Sequence, residues 1–357
     1  MTIKLYPDRI EIGSFTLSET GSGIVFDGQV EADRFYKSGK QGRVAGYTYG
    51  GYVSNRIKRF IFSNGSNQVD VGYVYGSGPG NPAYSRGSGG SSSETHGYSF
   101  GDGGPPANPL FSSNIKKFPF AESSSSSVTA SLCGNLPAAG STPKHHQSAE
   151  ATYYSAPSPT PSGASYYKWL YATDFGSVIQ SNDLKVGPSS ISSEVNSMTH
   201  GYSSGQYSGG KTATRFPFAN NNPTTQVSDM IYYRYAGKGV SGQTHAFIFG
   251  GASYTSNTPT PGYSPVQLAE RFPFTNLSTS IAVGSLNNAP PIGDIPASTN
   301  ESQTHGYTTR SSPAGYAPWS LTRFPFATWD VGGSAEAASS PTGFDDVYLS
   351  NFCSVQT

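Results

Sequence analysis

Charge is scarce in this chain. Lys, Arg, Asp and Glu make up 12% of its 357 residues, about half the share of an ordinary soluble domain. The 22 basic side chains are balanced by 22 acidic ones. No stretch gathers Lys and Arg into the basic face that a phosphate backbone requires, which argues against nucleic acid as a partner. Cysteine is nearly missing. Cys133 and Cys353 stand far apart, enough for one bridge but not for a framework, and two small buried thiols is the simpler reading. No apolar run approaches the ~20 residues of a membrane span. The N-terminal residues Met1 to Arg9 hold no apolar signal core, so neither membrane insertion nor the usual secretory route is expected. Catalytic signatures are missing too. There is no Gly-x-Ser-x-Gly elbow, no glycine-rich phosphate loop and no calcium-loop spacing. Glu94, Asp174, Glu301, Asp345 and Asp346 are scattered, with nothing to mark the facing carboxyls of a glycosidase. The chain therefore reads as non-enzymatic and without a cofactor.

What is present is Gly (43), Pro (26), Tyr (24) and Phe (20). The first two could signal disorder, but disordered chains are poor in aromatics. The aromatics also fall at fixed places. Thr304-His305-Gly306-Tyr307 is followed by Arg323-Phe324-Pro325-Phe326-Ala327. The same two words recur as Thr199-His200-Gly201-Tyr202 with Arg215-Phe216-Pro217-Phe218-Ala219, and as Thr95-His96-Gly97-Tyr98 with Lys117-Phe118-Pro119-Phe120-Ala121. A drifted copy is Thr244-His245-Ala246-Phe247 with Arg271-Phe272-Pro273-Phe274-Thr275. Two eroded copies are Gly46-Tyr47 with Arg59-Phe60-Ile61-Phe62, and Tyr153-Tyr154 with Lys168-Trp169-Leu170-Tyr171.

A repeat of about 50 residues built from short strands is the mark of a propeller or solenoid. One unit is too small to bury its own apolar face, so neighbours must stack. Each unit divides into four strands: a Ser/Gly-rich strand such as Ser91 to Glu94, the first word, the second word, and a looser strand such as Val69 to Val74 or Ile281 to Leu286. Four antiparallel strands per unit make a propeller blade. The expected fold is all-β, a six-bladed β-propeller. Seven blades, with one shared by the two termini, is the alternative.

With these words in place, residues 40 to 345 resemble the kelch-type propeller, whose second strand ends in paired glycines, as at Gly50-Gly51, Gly103-Gly104, Gly209-Gly210 and Gly250-Gly251. They are more closely similar to a degenerate kelch-like repeat in structural proteins of tailed phages, marine ones especially. That repeat pairs a Ser-Ser-x-Thr-His-Gly-Tyr word with a Phe-Pro-Phe-Ala word. The resemblance implies a virion structural protein, made in the host cytoplasm and released by lysis. It would be carried on a tail, fibre or capsid surface as an appendage. Host surface glycans are the partner that Tyr-, Ser- and Asn-rich loops would suit. A lectin-like module not tied to a virion is the second reading, and a propeller glycan hydrolase the third.

His96, His200, His245 and His305 hold one equivalent position in four units. Repetition explains that spacing without a metal, so these are expected to anchor their strands, with a ring nitrogen bonded to the backbone of the next blade. Phe118, Phe216, Phe272 and Phe324 alternate with a second aromatic two residues on and should point to one buried face. The proline between cannot donate to a ladder and belongs at a strand end or where an amide is not needed. The recurring Arg or Lys before it is expected to stack on an aromatic or to bond a neighbouring blade. His145 and His146 break the pattern and are expected on an exposed loop. Together with Tyr153, Tyr154, Tyr166 and Tyr167 they are the candidate loop-binding residues.

Residues 1–36 lack the phrase. Ile3, Leu5, Ile10, Ile12, Phe15 and Leu17 partly alternate, Ile24-Val25-Phe26 runs into the turn pair Asp27-Gly28, and Val30 to Phe35 offers a further strand. This segment is expected to be a small β module for self-association or docking to other virion proteins, with residues 37–357 forming the propeller. The alternative is that it supplies strands to the ring. After the last copy, Trp329 to Gly332 reads as a fourth strand, and Ala337 to Phe344 echoes a new repeat that could seal the ring.

Overall fold

The computed structural model describes residues 3–5, 9–12, 15–20, 23–27, 44–49, 56–63, 68–74, 89–100, 114–121, 127–136, 144–148, 150–155, 164–173, 179–184, 193–204, 211–219, 225–234, 237–255, 262–265, 268–275, 278–285, 295–302, 304–311, 321–329 and 352–356. The N-terminal strands β1 (Ile3–Leu5), β2 (Arg9–Ile12), β3 (Phe15–Thr20) and β4 (Gly23–Asp27) form a sheet of their own, an antiparallel meander in chain order. Val30 to Phe35 lies outside the described residues.

The repeated phrase then builds a series of small sheets. β5 (Ala45–Tyr49), β6 (Arg56–Ile61) and β7 (Val69–Tyr73) start the first, and β8 (Gly89–Ser92), β9 (His96–Phe100) and β10 (Asn114–Pro119) start the next. β11 (Val128–Thr129) turns back to run parallel beside β7, and β12 (Ser131–Asn135) completes the second sheet on β10. β13 (Lys144–Gln147), β14 (Ala151–Ser155), β15 (Ala164–Leu170) and β16 (Ile179–Leu184) form one sheet in chain order. β17 (Ser193–Asn196), β18 (His200–Ser204), β19 (Thr212–Pro217) and β20 (Thr225–Asp229) form another. In the following unit β21 (Lys238–Ser241) and β22 (His245–Phe249) precede a separate hairpin, β23 (Ala252–Thr255) with β24 (Gly262–Pro265). β25 (Leu268–Pro273) and β26 (Ile281–Ser285) then complete the sheet. The last unit has β27 (Ile295–Glu301), β28 (His305–Ser311) and β29 (Leu321–Pro325), followed by a four-residue helix at Phe326–Trp329. β30 (Phe352–Gln356) returns to pair antiparallel with β5, Val355 opposite Gly46.

Among the described residues the fold is all-β apart from that helical turn, and the small sheets take a β-propeller arrangement. Two details differ from expectation. Trp329 belongs to the helix rather than to a fourth strand, and residues 330–332 and 337–344 lie outside the described residues. The strand that joins the chain's end to its first repeat is Phe352–Gln356. The first strands of successive units lie side by side. β8 neighbours β30 and β13, β17 neighbours β13 and β21, and β27 neighbours β21 and β30.

The two words explain one another through register. Phe60, Phe118, Phe216 and Phe324 sit directly opposite Gly46, Gly97, Gly201 and Gly306 across their ladders. Each ring lies over its glycine so closely that a Cβ there would stand 2.2 to 2.5 Å from a ring carbon. The glycine is therefore a seat for the ring. Phe324 is fully buried and wedged against Phe247, Phe249 and Phe326, so it has little room to yield. Gly306→Val is expected to lower stability by about 1–3 kcal/mol through overpacking, measured by urea unfolding; an unchanged midpoint would show that the ring can swing aside.

Proline fits the same ladder. Phe120 N–H donates to Thr95 O, and Phe218, Phe274 and Phe326 donate likewise to Thr199, Thr244 and Thr304. In an antiparallel strand the residues between point their amides to the other edge. There the outer strand has already ended: β12 pairs with β10 only as far as Lys117. Pro119, Pro217, Pro273 and Pro325 thus occupy positions where no donor is required.

Aromatics interlock the sheets. The first-word tyrosine of each unit packs on the second-word aromatics of the next. Tyr47 lies 5.1 Å from Phe120, Tyr98 4.9 Å from Tyr171, Tyr153 4.8 Å from Phe218, Tyr202 5.0 Å from Phe274, and Phe247 5.2 Å from Phe326. Tyr307 of the last unit packs on Phe62 of the first at 5.0 Å. The hydroxyls add directed bonds: Tyr153 donates to Phe218 O (2.8 Å), and Tyr47 both donates to Ala121 O and accepts from Ala121 N–H. Such pairs contribute about 0.5–1.5 kcal/mol each beyond their area.

Candidate functional site

The four repeat histidines stand half-buried at the start of their strands, each behind an exposed threonine. Nδ1 of His96, His200, His245 and His305 lies 2.8 Å from the hydroxyl of Thr95, Thr199, Thr244 and Thr304. This contact is local, within the word. A serine three residues earlier closes the same turn. Ser93, Ser197 and Ser302 accept the amides of His96, His200 and His305. Among the described residues no group of three or more His, Cys, Asp or Glu side chains is placed to hold a metal.

The second-word cation faces the first-word tyrosine directly: Arg59 opposite Tyr47, Lys117 opposite Tyr98, Lys168 opposite Tyr153, Arg215 opposite Tyr202 and Arg323 opposite Tyr307. Lys168 Nζ stands 5.5 Å from the Tyr153 ring centroid. Burial raises the Tyr47 and Tyr202 hydroxyls, while the arginine opposite each pulls the other way. The arginine also reaches the histidine, since Arg271 Nη1 donates to His245 Nε2 at 3.2 Å. Burial first, and then the Arg215 charge, hold His200 below the ordinary histidine range. The unfolded chain therefore takes up its proton before the folded one does. Stability is intact above about pH 6.5, falls as pH drops through that value, and levels off below the folded pKa. The melting temperature is expected to follow that curve, and His200→Gln should flatten part of it; a melting temperature independent of pH between 7 and 5 would contradict this.

The candidate loop residues lie on strands, and those whose side chains are described are buried or half-buried. His145 and His146 lie on β13, not on an exposed loop. His146 is fully buried, its Nδ1 3.0 Å from Asn196 Oδ1, its Nε2 3.0 Å from Ser203 Oγ, and its ring edge-on to Phe216 at 5.1 Å. It joins the third sheet to the fourth. Tyr153 and Tyr154 are buried on β14, and Tyr154 stacks on half-buried Tyr167 at 5.4 Å. Tyr166 lies on β15 opposite Ser155; its side chain is outside the described residues. The physical reason is register. Tyr153 takes the place of the first-word tyrosine, and strand residues on that face meet the next sheet. Cys133 is buried, and its thiol donates to Ile115 O at 3.4 Å.

The most developed polar site is one the sequence reading missed. Glu270 and Arg234 form an ion pair (2.9 Å) with both side chains essentially sealed from solvent, at 0% and 2% exposure. Glu270 Oε2 accepts Ile231 N–H (2.6 Å) and the Ser280 hydroxyl (2.6 Å), and Oε1 accepts Tyr232 N–H (3.2 Å) and Arg234 Nε–H (3.0 Å). Arg234 also donates to Gly250 O and Leu268 O, both at 2.7 Å. Gly250 and Gly251 have φ of 63° and 80°, a backbone that glycine adopts without strain, and the turned Gly250 carbonyl meets the guanidinium. Burial lowers the Arg234 pKa, with Glu270 acting to raise it. The clue in the sequence was a position. Glu270 stands where the other copies have Lys58, Lys116, Tyr167, Thr214 and Thr322, one residue before the second-word cation.

No family model matches the chain, and no curated protein matches it.

Proposed function

We propose that the chain is a non-catalytic, six-bladed β-propeller that serves as a phage virion appendage, on a tail fibre or the capsid surface, and contacts host surface glycans. One observation carries the scaffold reading. The side chains the sequence repeats, Tyr, Phe, His and Arg or Lys, go into contacts within and between sheets. Recognition is left to the segments between the words, which differ in length and composition from unit to unit. The count of six is supported by the way the interlock returns on itself. Tyr307 packs on Phe62, and β30 pairs with β5 between the first strands of its two neighbours. The virion assignment rests on the resemblance of the two words to phage structural repeats.

Residues 1–36 are the attachment segment in this reading. Gold labelling of purified particles with an antibody to the propeller should decorate one virion structure, and glycan arrays should show binding without turnover. A chain beginning at Lys37 should fold, by circular dichroism, yet fail to join particles. Labelling confined to the cytoplasmic fraction would remove the virion assignment. Failure of the shortened chain to fold would move residues 1–36 into the ring and favour seven blades.

A further inference from the structure

Six copies of one unit provide an internal comparison. The stretch between the two words is longest in the fifth unit, from Phe247 to Arg271, and there it folds into a strand pair of its own, β23 with β24. No other unit shows such a pair among the described residues. The hairpin leaves the sheet after β22 and returns to it at β25. Its two strands pair with each other and run along no other described strand. Two antiparallel strands alone are marginal in water, so the direction in which this hairpin points has to be fixed from its base.

Arg234 sits at that base. The chain bends out of β22 through the left-handed pair Gly250 and Gly251 and re-enters the sheet at Leu268, the first residue of β25. Arg234 donates from Nη1 to Gly250 O and from Nη2 to Leu268 O, both at 2.7 Å. One planar guanidinium thus joins the two limbs of the hairpin, a fork that the point charge of a lysine does not reproduce. Glu270 fixes the guanidinium in turn, accepting from Nε at 3.0 Å and Nη2 at 2.9 Å. No other unit carries a carboxylate at the Glu270 position. An ion pair taken out of water contributes little net stability compared with apolar packing; what this one supplies is position. The hairpin held in this way has no charged residue from Ala252 to Pro265, and its ladder sets Tyr254 opposite Tyr263 among serine, threonine and asparagine. At recognition surfaces these residue types supply contact area and adaptable hydrogen bonds, and an element ordered in advance loses less freedom on binding.

We propose that the β23–β24 hairpin is a preformed contact element for the host glycan, and that Arg234 and Glu270 are the positioning residues that hold it. The inference rests on the glycan-contact reading above and names the element that makes the contact. The native full chain is compared with Arg234→Met/Glu270→Leu and with a chain in which a short Gly/Ser turn replaces residues 252–265. Should that replacement disturb the circular dichroism, Tyr254→Ala with Tyr263→Ala takes its place. Backbone hydrogen exchange, followed by mass spectrometry, is expected to quicken about tenfold or more across 252–265 in the Arg234/Glu270 variant, with protection kept in the strands of the other units. Unchanged exchange in the hairpin overturns the clamp. On an array of bacterial surface polysaccharides the native chain is expected to bind, the Arg234/Glu270 variant about tenfold more weakly, and the hairpin replacement not at all. Binding retained by the hairpin replacement overturns the contact element and leaves the glycan reading standing. A released hairpin that binds as the native one does overturns the positioning role. A native chain that binds nothing on the array overturns the contact assignment together with the glycan reading, and the exchange measurement still decides the clamp.

Discussion

Glu270→Ala is expected to lower the unfolding free energy by about 3–5 kcal/mol, because it leaves Arg234 buried without its counter-charge. Arg234 would keep its bonds to Gly250 O and Leu268 O, but carbonyls do not neutralise a guanidinium. The Tyr232 amide would lose its Glu270 acceptor at the same time, at a further penalty if water cannot reach it, while the Ile231 amide would keep its bond to Ser280 Oγ at 3.1 Å. The double replacement Arg234→Met with Glu270→Leu removes both charges and fills much of the same volume. It is expected to recover most of the loss while releasing the Met230–Arg234 backbone. Urea unfolding of the three proteins decides the matter. A single variant with an unchanged midpoint would mean that water or another cation partner already serves the pair, and a double variant as weak as the single would mean that packing, not charge, is at stake.

Removal of residues 351–357 is expected to have a comparable or larger effect. Phe352–Gln356 pairs with Ala45–Tyr49 along its whole length. It lies between β27 and β8, the first strands of the units on either side. A repeat array derives its stability from contacts between neighbouring units, so a missing strand at the seam weakens both adjacent contacts and exposes the edge of β5. The melting temperature should fall by about 10 °C or more, and the transition should broaden as the two ends of the array open separately. A truncated chain that melts as the full chain does would show that the ring closes without this strand.

Much of the architecture was legible from two short words. Register makes the reason clear. The side chains of a strand alternate, so a word of four or five residues already assigns each residue to a face. Phe118 and Phe120 lie on one face because they are two apart, and their rings do meet, at 6.3 Å. Histidine placement was legible too, but its bonding was not. His96 Nδ1 meets the hydroxyl of the threonine beside it, a local contact that a repeat count does not reveal. His146 was misjudged for a related cause. Two histidines outside the phrase read as a loop, yet Gln147 takes the inner-strand place that Ser92 holds in the preceding sheet, where Ser92 N–H donates to Gln147 Oε1 at 3.1 Å. In the third unit, which has lost both words, only the ladder restores the alignment.

The sequence by itself determined the unit: its four-strand plan, its buried aromatics and the harmless position of each proline. All of these follow from alternation and from steric or hydrogen-bonding limits that act within a few residues or across one ladder. Only the tertiary structure decided what meets across the array: that Tyr307 packs on Phe62, that the last strand pairs with β5 of the first repeat, and that Arg234 finds Glu270. These partners are separated by 36 residues at the least. No local rule selects them, because which distant groups become neighbours is set by how the sheets stack, and a buried charge can be tolerated only where that stacking has already supplied its partner.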